Sequence, residues 1–411
     1  MNLQAALMVA LLSTAAVINP AALHAQRGGG RGGGGPELPP PLQGELPAVP
    51  DPTYHPEPEG VAVTVLARDL DTVWSLEFAP DGRLFATERA GRVRVIGADG
   101  VLDPEPWVEF PDGVRREDGL LGLALHPDFE NQPWVYLFHT VQKGDQLVNR
   151  LSRFREVDGR AGEEEVLLDD LESWMVHNGG RLRFGPDGML YVTLGELTQS
   201  MLAQDLTRLQ GSVLRLTPEG KVPSDNPLPD SPIWAYGVRN SHGLAFRPTD
   251  GALFLADNGP SGEWRSVRIT GHDEIDIIEK GGNYGWPLAV GAPNDPRFGD
   301  PIIAWDPSQP PGDLTFYDAD LFPELKGDLL FTTLRGETLM RIRFKDEDDP
   351  NRITAVEWWF HEGPETGVSR FGRLRGMTVG PDGAIYVGTS NFGRASAHEG
   401  DDKILRIAPA R

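Results

Sequence analysis

A tight turn followed by an alternating strand recurs six times along this 411-residue chain, and that recurrence limits the available folds severely. The copies are APDGRLFATE from Ala79, HPDFENQPWVYLFHT from His126 and GPDGMLYVTLGE from Gly185, then RPTDGALFLAD from Arg247, FPELKGDLLFTTL from Phe322 and GPDGAIYVGTS from Gly380. Their prolines stand at 80, 127, 186, 248, 323 and 381, with spacings of 47, 59, 62, 75 and 58. Proline presets φ for the turn, and Gly or Asp tolerates the reversal. The residues that follow alternate with the period of a strand. Six units near the length of a four-stranded blade predict an all-β fold, a six-bladed β-propeller with long inter-strand loops. Two β-sandwiches with coincident turns are the competing arrangement. The 49 glycines and 36 prolines suit short strands and turns better than helices. One segment has helical spacing, QSMLAQDLTRLQ from Gln199, and predicts two or three helical turns on a loop.

The ends of the chain read differently from its body. Residues 5–18 (AALMVALLSTAAVI) form an apolar run of signal-peptide length, with small residues up to Ala25, so residues 1–25 are expected to direct export to the periplasm or beyond. Residues 26–60 are rich in Gly and Pro and are expected to be a disordered linker that adds nothing to the core. The propeller is expected over 61–411. No later apolar run has membrane-spanning length, which predicts no span in the mature chain. The absence of cysteine excludes a disulfide scaffold, a thiolate metal site and a cysteine nucleophile. With 61 acidic residues against 38 basic ones, the chain has little to offer a row of phosphates, and no nucleic-acid partner is expected.

Residues with chemical potential lie between the repeats. His177, in HNGGRLRFGPDG, is suited to taking a proton from a hydroxyl. Arg239 and Asn240, in YGVRNSHG, place two strong donors in one turn, and the planar fork of Arg suits carboxylates and quinone oxygens. Arg373 and Arg375, in GRLRG, share a strand face, and Arg335 adds a further cation. Together these arginines could serve a polyanionic ligand. The run from Asp257 offers the Gly259-Pro260 carbonyls and the carboxylates of Asp273, Glu274 and Asp276, an all-oxygen set of the kind Ca2+ prefers. Each group also has a plain structural reading, as a turn cap, an inter-blade salt bridge or a solvated edge. No zinc-ligand spacing, nucleophile elbow, Walker loop or dinucleotide fingerprint is present.

The ordered series GLLGLALHPDF, HNGGRL, AQDLTRLQGSVLRL, PSDNP, YGVRNSHGLAF, DEIDIIEKGGNYGWP and GRLRGMTVGPDGAIYV resembles the soluble PQQ-dependent sugar dehydrogenases, the glucose/sorbosone and aldose sugar dehydrogenase family. The likeness runs from about Trp74 to Ile407. It implies a six-bladed propeller that oxidises an aldose-type sugar with pyrroloquinoline quinone (PQQ) and Ca2+ and passes electrons to an external acceptor. On that resemblance His177 is the general base, and Arg239 and Asn240 hold the quinone. The carbonyls of Gly259 and Pro260 ligate the catalytic Ca2+, Arg373 and Arg375 lie over the cofactor, and Glu274 with the Tyr284 carbonyl binds a further Ca2+. Three cofactor positions depart from the pattern: Glu117 replaces Gln, Asn258 replaces Gln or His, and Arg335 replaces Lys. His242 stands in RNSHG where RNPQG is commoner, and residues 261–272 are longer than the usual link. A Ca2+-dependent propeller lactonase and a sugar-binding propeller without cofactor are the alternatives.

Overall fold

The computed structural model describes residues 38–410, apart from 111–115, 265, 266, 268, 345–348, 364–369 and 393–399. The expected signal segment 1–25, and the linker as far as residue 37, lie outside the described residues. From Pro39 to the C-terminus the chain forms one compact unit.

Six sheets form the blades, antiparallel except for one parallel edge strand on the fifth. The innermost strands are Val73–Phe78, Leu120–Leu125, Gly179–Phe184, Ser241–Phe246, Pro311–Phe316 and Leu374–Val379, each followed outward by the next strands in sequence. Each innermost strand packs on the next, and the sixth packs on the first, which closes the ring. All six turns found in the sequence join the first strand of a blade to its second, so they mark one end of the propeller. The N-terminal strand Val61–Leu70 completes the last blade by pairing antiparallel with Asp402–Pro409. Buried Asp402 reinforces this closure by accepting the Thr72 amide from the first blade and the Thr389 hydroxyl and Phe392 amide from the last.

Six hydrophobic clusters fill the six interfaces between neighbouring blades. Both faces of an inner strand are therefore buried, which is why LYVTL and LLFTT are buried throughout. Close approach at the axis leaves no room for a side chain at Gly122, where a Cβ would meet the Gly180 carbonyl oxygen at 2.0 Å.

Every innermost strand carries a register shift near its start. Such bulges leave a backbone amide unpaired and re-aim side chains. In three blades a threonine of the second strand accepts that amide and donates onward to the neighbouring blade. Thr87 links Ser75 to Leu121, Thr193 links Arg181 to Ser241, and Thr332 links Asp313 to Arg375.

Two expectations are corrected. The segment from Gln199 makes only the 3-10 turn Ser200–Gln204, because Leu202 and Ala203 are buried and Ala203 packs directly beneath Gly211. The Gly/Pro-rich stretch before residue 60 is not free of the core from Pro39 onward. Leu42–Gln43 pairs with Ala289–Val290, Thr53–His55 adds a fifth strand to the fifth blade, and Val49 and Tyr54 pack on a core cluster. Its few apolar residues suffice because the exposed edge of Ala355–Trp359 supplies the hydrogen bonds.

Candidate active site

Starts of first strands and ends of second strands converge at the end of the propeller opposite the repeated turns. His177, Arg239, Arg373 and Glu117 precede first strands, whereas Glu196, Asp257 and Arg335 follow or end second strands. Sequence-distant residues meet there through the ring's geometry.

His177 has φ of 60°, a left-handed conformation that is costly for a residue with a Cβ. Its carbonyl accepts the Leu197 amide at 3.2 Å and lies against Gly195, where a Cβ would come within 2.1 Å. The ring Nδ1 is 2.5 Å from a carboxylate oxygen of Glu196, whose side chain is fully buried. That pairing places the proton on Nδ1 and leaves Nε2 able to accept one. The His177 side chain remains 14% exposed, so a small molecule can reach it. Among the described residues the second Glu196 oxygen has no hydrogen-bond partner. Glu196 was not singled out in the sequence. The only signal was its place after a repeat strand, in TLGE.

Arg239 is buried, and four of its five N–H groups are engaged. They donate to Glu263 at 3.1 and 2.7 Å, to the Ser261 hydroxyl at 2.8 Å and to the Asn258 carbonyl at 3.2 Å. The principal occupant of its fork is Glu263, on the extended link after Gly259-Pro260. Asn240 also does structural work, its Oδ1 accepting the Gly179 amide at 3.2 Å, which leaves its amide nitrogen for a ligand. Asp257 fixes this turn by accepting both the Arg239 and Asn240 amides. Asn258 Nδ2 lies 3.4 Å from His242 Nδ1, and its buried Oδ1 has no partner among the described residues. His242 is held neutral, its pKa pushed far down by burial and then by Arg375 and Arg181.

Arg375 is buried among other cations near the site. It donates to the Ser390 hydroxyl at 3.2 Å, and no described carboxylate forms an ion pair with it. Burial, followed by Arg373 and Arg89, drives its pKa well down, as expected where cations gather. Arg373 donates to the Leu334 carbonyl. Glu117 is partly exposed and acts electrostatically on both Arg89 and Arg375. Arg89 was missed in the sequence because it follows a second strand with no surrounding motif. Arg335 is exposed, one residue beyond the carbonyl that Arg373 uses, and is not drawn into the buried group.

The Gly259-Pro260 turn is built on Asp273, which accepts the Gly259 amide at 2.8 Å. A Cβ at Gly259 would meet the Gly271 and His272 carbonyl oxygens at 2.1 and 2.4 Å. Among the described residues no group outside the strands donates to the carbonyls of Gly259 or Pro260. Farther along, Glu274 and Asp276 share a strand face, and both are pushed well above the usual carboxylate range by burial and neighbouring carboxylates. Among the described residues neither oxygen of buried Asp276 has a hydrogen-bond partner. Tyr284 anchors the adjoining loop, its hydroxyl donating to Ile277 and accepting from Glu279. No set of three or more His, Asp or Glu side chains is arranged for a metal among the described residues. A cation here would rely on main-chain carbonyls.

At the opposite end a cavity of about 440 Å3 opens between the repeated turns, lined by His126, Arg183, Phe184, Phe246 and Arg247 among others. None of the residues expected to carry chemistry lines it. Its arginines are already committed, Arg183 to Glu77 and Arg247 to Asp250.

Residues 70–397 match the family model of glucose/sorbosone dehydrogenases. An aldose sugar dehydrogenase of Escherichia coli is 31% identical over 392 residues, covering 86% of this chain and 94% of the relative. A structure from Thermus thermophilus, described as an oxidoreductase (glucose dehydrogenase), superposes with a TM-score of 0.75 at 43% identity, over 85% of this chain and 100% of that one. The PQQ-bound aldose sugar dehydrogenase of Streptomyces coelicolor gives a TM-score of 0.70 at 31% identity, over 85% and 99% of the two chains.

Proposed function

The chain belongs to the glucose/sorbosone dehydrogenase family, and from that premise we propose that it oxidises an aldose-type sugar at the C1 hydroxyl to a lactone, using PQQ and Ca2+ and an external electron acceptor. When bound, PQQ would accept the C1 hydride and Ca2+ would act as a Lewis acid.

The observation that carries this reading is the His177–Glu196 pair beside a cluster of arginines. Nε2 of His177 takes the proton of the C1 hydroxyl while the C1 hydrogen departs as hydride. Glu196 holds the ring in the required tautomer and offsets the positive charge that it acquires. Arg375, Arg373 and Arg89 form the cationic floor suited to an anionic cofactor. Arg239 and the Asn240 amide nitrogen would hold the quinone side, with Asn258, Glu117 and exposed Arg335 at the margin. The Gly259 and Pro260 carbonyls suit the catalytic Ca2+. Glu274 and the Tyr284 carbonyl suit a second cation, and the unpartnered carboxylate of Asp276 supports a positive charge there. No helix among the described residues is long and apolar enough to cross a membrane, and the apolar leader at residues 1–25 supports export to the periplasm or exterior.

Dye-linked turnover of an aldose panel, with PQQ and Ca2+ supplied, tests the assignment. Wild-type protein should oxidise at least one aldose. His177→Ala should lose about 100-fold or more in kcat, the usual contribution of a general base, while its Kd for PQQ stays within about threefold. Wild-type rates in His177→Ala would remove the base from His177.

A further inference from the structure

The extended link after Gly259-Pro260 folds back as a short hairpin, with Ser261–Trp264 pairing with Ile269–Thr270. Trp264 anchors it: the indole is buried, donates to the Pro39 carbonyl at 3.1 Å and packs edge-on against Trp286 at 5.2 Å. Trp286 in turn lies 5.3 Å from the Arg239 guanidinium. This anchorage holds Glu263 against Arg239 in a closed polar loop. Glu263 Oε1 accepts two N–H groups of Arg239, Oε2 accepts the Ser261 amide at 2.7 Å, and the Ser261 hydroxyl accepts another Arg239 N–H.

We propose that Glu263 is a positioning residue and built-in counter-ion, which occupies the Arg239 fork and competes with an anionic cofactor for it. The inference rests on the reading above that Arg239 faces PQQ. An arginine whose charge is offset by a carboxylate at 2.7 Å attracts a second anion less strongly, and the ligand also meets the negative charge of Glu263. Glu263 takes the Nε and Nη2 edge of Arg239, the edge suited to a two-point contact, so an anion that uses this edge must displace Glu263. Glu263 therefore weakens cofactor binding relative to a site with a bare arginine, and the hairpin fixes how strongly it does so.

Calorimetric titration of the full-length apo-protein with PQQ in Ca2+ buffer reads this directly. Glu263→Gln, which keeps the shape and removes the charge, should bind PQQ about tenfold or more tightly than wild type. Glu263→Asp keeps the charge and should stay within about threefold. In an Arg239→Ala background the Gln substitution should have little effect. A residue that merely supports the fold would give the opposite sign, because its loss would loosen the site; thermal unfolding of each variant verifies that it is folded. Unchanged or weaker binding by folded Glu263→Gln, with wild type binding normally, overturns the counter-ion role alone. Absence of PQQ binding by every form overturns both this inference and the functional reading on which it rests.

Discussion

His177 is held in a left-handed backbone conformation beside a fully buried carboxylate, while in the next blade His242 is kept neutral among arginines. On the proposed function the two rings have opposite tasks: one gains a proton during turnover, the other does not. His242 packs edge-on against Trp74 at 5.9 Å and faces Asn258, Arg375 and Arg181. Its folded pKa lies far below the ordinary 6.5, so below that pH the unfolded chain binds a proton that the folded protein does not. Stability from this residue should fall by about 1.4 kcal/mol per pH unit as pH drops below 6.5. Melting temperatures measured between about pH 7.5 and 5 should decline in wild type and decline less in His242→Gln. An identical slope in both proteins would assign the acid sensitivity elsewhere. At this scale the sequence was partly legible. His177 announces itself within a motif, whereas Glu196 and Arg89 reach the site only through strand pairing, which no local pattern encodes. Arg239 was found by its motif, but its partner Glu263 was not, because the link that delivers Glu263 lies outside the family pattern.

Elements that position the site do so through the bulges at the starts of the inner strands. Thr193 shows the device clearly, its hydroxyl accepting the Arg181 amide at 3.0 Å and donating to the Ser241 carbonyl at 2.9 Å. Those bonds join the strand that follows His177 to the strand that follows Arg239. Thr193→Val preserves shape and strands two buried polar groups, so it should cost about 2–4 kcal/mol by the usual penalty for each. Chemical denaturation measures this, and a loss under about 0.5 kcal/mol, below the usual worth of one hydrogen bond, would show that the bond does not tie the blades. Prolines and glycines made the six turns readable, because turn formation is local. The bulges were not readable, since three of them rest on a threonine in another strand and a carbonyl in another blade. The Gln199 segment misled for the related reason that burial under Gly211 overrode its helical spacing.

For the propeller as a whole, Arg181 acts as a hub at the axis. From the third blade it donates to Ser75 of the first, to the His242 carbonyl of the fourth and to the Gly312 carbonyl of the fifth. It also pairs with Asp313 at 3.0 Å and lies 4.1 Å over the Trp74 ring. Burial lowers its pKa to about 10, with Asp313 opposing, so it stays charged at neutral pH. On the proposed function this buried hub lies between the candidate site at one end and the cavity at the other. On the proposed function the candidate site binds PQQ with Ca2+ and oxidises a sugar there. Titrating metal-stripped protein with PQQ, with and without Ca2+, following the quinone absorbance and then adding aldoses, tests this directly. Saturable, Ca2+-dependent binding and bleaching of the quinone by at least one aldose are the expected result. Absence of PQQ binding under either condition would contradict the proposed function.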